Sequence, residues 1–238
     1  TGLVTVGVPA SLNPIFEVKL TEEMTEPLPE SVSGYLGPES SERILSLAEG
    51  KQCMVIGPGL STHDGIPELV KTILQEYDGW VLVDADGLNA LFDNLETIKN
   101  ARGNVVLTPH PGEMGRLVGK SSKEVQEDRL GIARQAAIDY GIWLVLKGAA
   151  TLTVSPEGVG TSHSTGNPWM ASGGQGDALS GILGGLLAQG IRSEEALPFG
   201  VYLHGLAADK IVERVGPVPV LATDVINEIP ALLGGEKE

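Results

Sequence analysis

Five runs of strand length recur along this chain, "LVTVGV", "CMVIG", "WVLVD", "NVVLT" and "IWLVLKG", and each is close to continuously apolar. A strand with one face in water alternates apolar and polar residues. Continuous apolarity therefore predicts strands covered on both faces, as in a parallel sheet with helices above and below it. The intervening segments have the spacing to supply those helices. Ile66, Leu69, Val70 and Ile73 share one helical face, and Val125, Ile132, Ala136 and Tyr140 share another that ends at a predicted C-cap, Gly141. Strand and helix in alternation predict the βαβ topology of an α/β fold.

After Thr151–Val154, the close of a hairpin-like stretch "VLKGAATLTV", the pattern changes. A loop, "SPEGVGTSHSTGNP", leads through a glycine cluster into three predicted helices near 177–189, 193–214 and 222–233. The polar stretch "TEEMTEPLPESVSGYLGPESSERI" is expected to be a surface loop ahead of a short helix. No repeat or separating linker interrupts the 238 residues, which predicts one domain over 1–238.

Sixteen Lys and Arg against thirty-one Asp and Glu give a formal charge of −15. Such a surface repels phosphate backbones and anionic headgroups, which argues against nucleic acid and membrane as partners. An anionic ligand would need local attraction from backbone N–H groups, a helix N-terminus, a cation or Mg²⁺. The single cysteine, Cys53, reads as a strand residue, and one thiol allows no disulfide within the chain, as suits a reducing cytoplasm. The apolar stretch Ala178–Ile191 is shorter than the ~20 residues of a bilayer span, and "TGLVTVGVPA" lacks signal-peptide character.

In open parallel sheets, ligands gather beyond the carboxyl ends of the strands. Four such ends carry small, turn-forming or polar residues: Gly57-Pro58-Gly59, Asp84-Ala85-Asp86, Thr108 to Glu113, and Lys147-Gly148. Asp84 either holds Mg²⁺ through water or caps the helix beginning near Gly87, and capping is the expectation for Asp86. His110, stiffened by two prolines, is either structural or at a ligand, and Glu113 is either a first-turn helix carboxylate or a distant Mg²⁺ partner. Lys147 either reaches solvent or pairs with a phosphate or carboxylate. His63, His163 and His204 lack metal-ligand spacing and read as structural or exposed. The Gly181/Gly185 spacing is expected to let a helix pack closely on the sheet.

The segment "SGGQGD", residues 172–177, supplies the anion cradle that the charge argument requires. Its glycines let several N–H groups face one way, and the helix behind adds a positive dipole end. Asp177 is either an ordinary N-cap or the general base for a hydroxyl that attacks a terminal phosphoryl group.

Together, "VIGPGL", "VLVDADGLNAL", "VVLTPHPGEMGRL", "VLKGAATLTV", "GNPWMASGGQGDALSGILGGLLAQG" and "VYLHGLAAD" resemble, in order, the carbohydrate-kinase-like NAD(P)H-hydrate dehydratases. The likeness runs to about position 230. It implies a ribokinase-like three-layer α/β/α sandwich with a mostly parallel central sheet. It implies phosphorylation of the ring hydroxyl of NADHX or NADPHX from ADP or ATP, with Mg²⁺, followed by loss of phosphate. On the family pattern, Lys147, Gly148, Ala149, Ala150 and Thr151 line the AMP part of the nucleotide. Asn167, Pro168, Trp169, Met170, Ala171, Ser172, Gly173, Gly174, Gln175 and Gly176 wrap its phosphates. Gly59, His110 and Asp177 contact the hydrated dinucleotide, with Asp177 as base.

The resemblance further implies a cytoplasmic homo-oligomer with a fused or associated NAD(P)H-hydrate epimerase. It also implies that a strand, turn and helix of the family precede the segment matching "TGLVTVGVP" and are missing here. The family usually carries Ser or Thr where this chain has Gln175, a longer side chain that could bond elsewhere. A vitamin-precursor kinase of the same fold and a nucleotide-binding regulator without turnover are the alternatives.

Overall fold

A computed structural model describes residues 2–92 and 94–234. The first strand, β1 (Thr5–Pro9), is joined through α1 (Asn13–Lys19) to β2 (Met24–Leu28), and the two pair in parallel as a separate sheet. The run "LVTVGV" is thus a parallel strand, but its partner lies inside the stretch expected to be a loop. That strand was hidden by Glu26 and Pro27, which an edge position accommodates. Glu26 of β2 meets Arg43 on α2 (Ser41–Ala48).

The main sheet follows strict sequence order. Four parallel strands, β3 (Cys53–Ile56), β4 (Trp80–Val83), β5 (Asn104–Leu107) and β6 (Trp143–Leu146), are followed by antiparallel β7 (Leu152–Val154) and β8 (Gly160–Ser162). The β6–β7 hairpin agrees with the sequence reading. Strand β8 corrects it, because this short exposed strand lies within the expected loop and has no apolar signal.

Between the parallel strands run α3 (Ile66–Glu76), α4 (Asp86–Asn89), α5 (Glu96–Lys99), α6 (Pro111–Val118), α7 (Ser122–Glu127) and α8 (Arg129–Tyr140). Right-handed crossovers that always step in one direction put their helices on one face of the sheet. The other face needs a separate cover, which comes from α9 (Gln175–Ala188) and α10 (Ser193–Val215), with α11 (Ala222–Gly234) packed on them.

The strand residues divide accordingly, with period two. Val81, Val83, Val105, Leu107, Leu144 and Leu146 pack in one core with Leu69, Ile73, Met114 and Ala137. Leu82, Val106, Trp143 and Val145 pack in another with Leu179, Leu183, Leu187 and Leu197. Helix, sheet and helix make three layers.

The segment read as one helix through Val125 and Tyr140 is two. Asp128 leaves helical geometry at φ −138°, ψ 61°, and its carboxylate accepts the Gly131 N–H at 3.0 Å, capping α8. Gly141 ends that helix in the left-handed conformation, as expected. The close helix–sheet approach also belongs to a different glycine. A Cβ on Gly184 would meet Val55 Cγ2 at 2.5 Å and Cys53 Sγ at 3.7 Å, whereas those on Gly181 and Gly185 would meet nothing within 4 Å. Cys53 is buried enough that desolvation pushes its thiol up to about 12, so it stays protonated.

Gly184→Leu should therefore cost about 1–3 kcal/mol through overpacking against β3. Gly181→Ala should stabilise by up to about 1 kcal/mol through helix propensity. Urea denaturation of both variants checks the pair, and equal effects would contradict this packing.

Candidate functional site

Strands β4 and β6 end in opposite charges that meet. Lys147 Nζ lies 2.6 Å from Asp84 Oδ1 and 3.8 Å from Glu113 Oε2. Asp84 is 1% exposed and also accepts Ser180 Oγ–H at 2.7 Å and the Ala85 N–H at 2.9 Å. Burial alone would raise its pKa. The Lys147 charge, with hydrogen bonds from Lys147, Ser180 and Thr108, outweighs this and holds the carboxyl below its ordinary value. Asp84 is therefore the partner that Lys147 required. It does not cap α4, whose N-cap is Ala85 at φ +48° without a side-chain bond.

Asp86 does not cap α4 either. It stands at the first helical position, where the side chain leans back toward the preceding chain. Its carboxylate takes the Ser61 N–H at 2.8 Å and Asn89 Nδ2 at 3.1 Å, tying the loop after β3 to α4. In that loop Gly57, at φ +127°, lies against the Asp84 carbonyl with no room for a Cβ. Gly59, at φ +69°, leaves open space where a side chain would stand.

His110 is the N-cap of α6. Its Nδ1 accepts the N–H groups of Gly112 and Glu113 at 3.0 and 3.3 Å, and Glu113 Oε2 accepts the His110 N–H at 2.7 Å. This reciprocal capping box makes Glu113 the first-turn carboxylate. It leaves His110 Nε2 on a half-exposed ring, 3.5 Å from Glu113 Oε1.

The glycine cluster opens α9 above the ion pair. Gly174, at φ +86°, is the N-cap, so Asp177 is the third helical residue and not the cap. Among the described residues, the N–H groups of Gly173 to Asp177 meet no acceptor, as a helix start leaves them. A Cβ on Gly176 would stand 3.4 Å from Lys147 Nζ and 3.7 Å from Asp84 Oδ2. The exposed Asp177 carboxylate has no hydrogen-bond partner among the described residues. Its pKa is raised by desolvation and then by the Asp84 charge, with Lys147 opposing.

The polar side chains of the preceding loop turn into the protein. Asn167 Nδ2 donates to Asp209 Oδ1 at 2.8 Å and Ser172 Oγ to the Val220 carbonyl at 2.9 Å. Gln175, 9% exposed, bonds Val220 and His204. Trp169 is partly exposed. Earlier in the loop the N–H groups of Gly166, Trp169, Met170, Ala171 and Ser172 are also bonded within the protein, which leaves those of Gly173 to Asp177 as a contiguous open run among the described residues.

The turn Lys147–Thr151 adopts positive φ at Gly148 and Ala150, +129° and +55°. Arg129 braces it by donating to the carbonyls of Leu146, Lys147 and Ala150 at 3.1 to 3.4 Å. Arg129 and Ser180 escaped the sequence reading. The available signal for Ser180 was its being the one hydroxyl in "ALSGILGGLLAQ". His163 bonds Thr153 Oγ1 at 3.1 Å and His63 stacks on Tyr35, both structural contacts.

A family model described as NAD(P)H-hydrate dehydratase matches residues 1–231. A bifunctional NAD(P)H-hydrate repair enzyme of Moorella thermoacetica is 40% identical over 237 residues, covering 100% of this chain and 45% of the relative. An ADP-dependent (S)-NAD(P)H-hydrate dehydratase of Neisseria meningitidis serogroup B is 44% identical over 165 residues, 68% of this chain and 56% of the relative. The chain thus spans about half the length of these curated relatives. Among solved structures, the Bacillus subtilis ADP/ATP-dependent NAD(P)H-hydrate dehydratase, co-crystallised with ATP/Mg²⁺ and soaked with CoA, superposes with a TM-score of 0.78 at 27% identity. That match covers 98% of this chain and 81% of the other.

Lys147→Met would strand the Asp84 carboxylate in the interior and should cost about 3–5 kcal/mol. Because the folded pKa of Asp84 is depressed, its contribution is complete above the unfolded value of about 3.9 and is lost as pH falls through the folded value. Stability measured against pH should show this acid-side loss in the wild type and a shallower one in Asp84→Asn.

Proposed function

The chain belongs to the NAD(P)H-hydrate dehydratase family, and from that premise we propose that it returns NADHX and NADPHX to NADH and NADPH, using ADP or ATP as phosphoryl donor. The observation that carries this reading is the unpartnered Asp177 carboxylate beside the open N–H groups of Gly173 to Asp177. Phosphate oxygens match those groups and the helix dipole, and a hydroxyl brought to the terminal phosphorus would find its proton acceptor one turn into the helix.

Asp177 takes the proton as the ring hydroxyl oxygen bonds to the terminal phosphorus and the phosphoanhydride bond breaks, releasing AMP from ADP or ADP from ATP. The new ester turns a poor leaving group into a good one. Its C–O bond then breaks with the electron pair leaving on phosphate, and loss of a neighbouring ring proton restores the dihydronicotinamide. Lys147 to Thr151 would line the AMP part, Asn167 to Gly176 the phosphates, and Gly59 and His110 the dinucleotide.

Among the described residues, no group of three or more His, Cys, Asp or Glu side chains gathers as a metal cage. That suits Mg²⁺, which keeps several waters and binds through phosphates and one or two carboxylates. The ion, when bound, offsets charge on the transferring phosphoryl group. Among the described residues no helix is long and apolar enough to cross a membrane. The reading extends to residues 1–238 as one domain of a cytoplasmic homo-oligomer, and the bifunctional relatives support a fused or associated epimerase.

Incubation of the full-length protein with ADP or ATP and NADHX should regenerate the dihydronicotinamide absorbance and release phosphate. A stable phosphoester without phosphate release would identify a kinase instead. Asp177→Asn should bind nucleotide yet lose roughly 10²- to 10⁴-fold in kcat; an unchanged rate would remove Asp177 as base. Since its pKa is raised, kcat/KM should fall on the acid side at a pH above the ordinary Asp value of about 3.9, as the base becomes protonated.

A further inference from the structure

Resting on that reading, we propose that the Gln175 side chain is a positioning group that holds the phosphate cradle in its binding geometry through His204 and Val220, without its amide touching nucleotide. A long polar side chain between Gly174 and Gly176 would be expected to face a ligand. Here it faces the opposite way, and both ends of its amide are engaged. Oε1 lies 3.1 Å from His204 Nε2, while Nε2 donates to the Val220 carbonyl at 2.9 Å and to Ser172 Oγ at 3.4 Å.

The pairing defines the histidine. An amide oxygen can only accept, so His204 Nε2 carries the hydrogen. His204 is 8% exposed, and burial pushes its pKa down to about 4, so the ring is neutral near pH 7. Val220 closes the other side. Its N–H donates to the Trp169 carbonyl at 2.9 Å, and its own carbonyl accepts Ser172 and Gln175. Farther along α10, Asp209 takes the Gly166 N–H at 2.9 Å and the Asn167 amide at 2.8 Å.

Helix α10 and the connection to α11 therefore grip the loop at both ends. Parallel N–H dipoles repel one another, and a glycine-rich segment has much conformational freedom to lose. A latch that meets both costs before ligand arrives raises affinity by preorganisation.

The test is ADP titration of the full-length protein by calorimetry, with NADHX turnover measured alongside. Q175A and H204L should weaken ADP binding about tenfold, near the effect of one or two lost hydrogen bonds, with a much smaller change in kcat. H204Q, which restores a donor where Nε2 stood, should recover most of the affinity. In the wild type, the His204 Nε2–H resonance should shift as ADP saturates.

Wild-type affinity in both Q175A and H204L, or H204Q binding as weakly as H204L, would overturn the latch. If Q175A does not fold, the two His204 variants decide. A wild type that binds neither ADP nor ATP would instead sink the functional reading itself, a result visible before any variant is made.

Discussion

A half-buried ammonium bonded to a buried carboxylate decides how the pieces of this molecule meet. Neither Lys147 nor Asp84 could stand at these strand ends alone, since stripping water from one unpaired charge costs more than most side-chain contacts return. Together, with Ser180 and the Ala85 N–H completing the carboxylate's shell, they lock the ends of β4 and β6 to the first turns of α9. Gly176 lies directly over the pair, so the glycine loop inherits its position from this contact. The same two charges act on Asp177 in opposite senses, and desolvation tips the balance upward. One interaction thus places the proposed anion site and adds to the desolvation that raises the Asp177 pKa.

The helix carrying that site is fixed from behind as well. Gly184 lets α9 sit against β3, and Leu183 and Leu187 fill the core facing Leu82 and Val106. Apolar packing of this density resists small displacements. A helix held by an ion pair at one end and close packing along its length is a firm mount for a flexible glycine loop.

Much of this was legible in the chain. Helices α9 to α11 lie within a few residues of their expected limits, because long periodic segments bounded by glycine and polar loops leave little choice. The strand ends named in advance are those that gather, because the continuous apolar runs stop where the sheet stops. Strands β2 and β8 escaped because they are short, polar and at edges, where pairing and not burial makes a strand. The break at Asp128 escaped because the apolar face on either side stays nearly in phase. The Asp84 contacts join residues 63 and 96 positions apart, and no local pattern encodes such partners. The direction of Gln175 depended on His204 in the same way.

The strict strand order carries a consequence for how the chain is made. The helices that connect the strands cover one face of the sheet as each emerges from the ribosome, but the opposite face, with Leu82, Val106 and Val145, waits for α9 and α10. Until the last third of the chain is synthesised, that apolar surface is bare and open to chaperones or to misassembly. The segment that finally covers it also carries the glycine loop and Asp177, so the nascent protein gains its proposed anion cradle only when its fold closes.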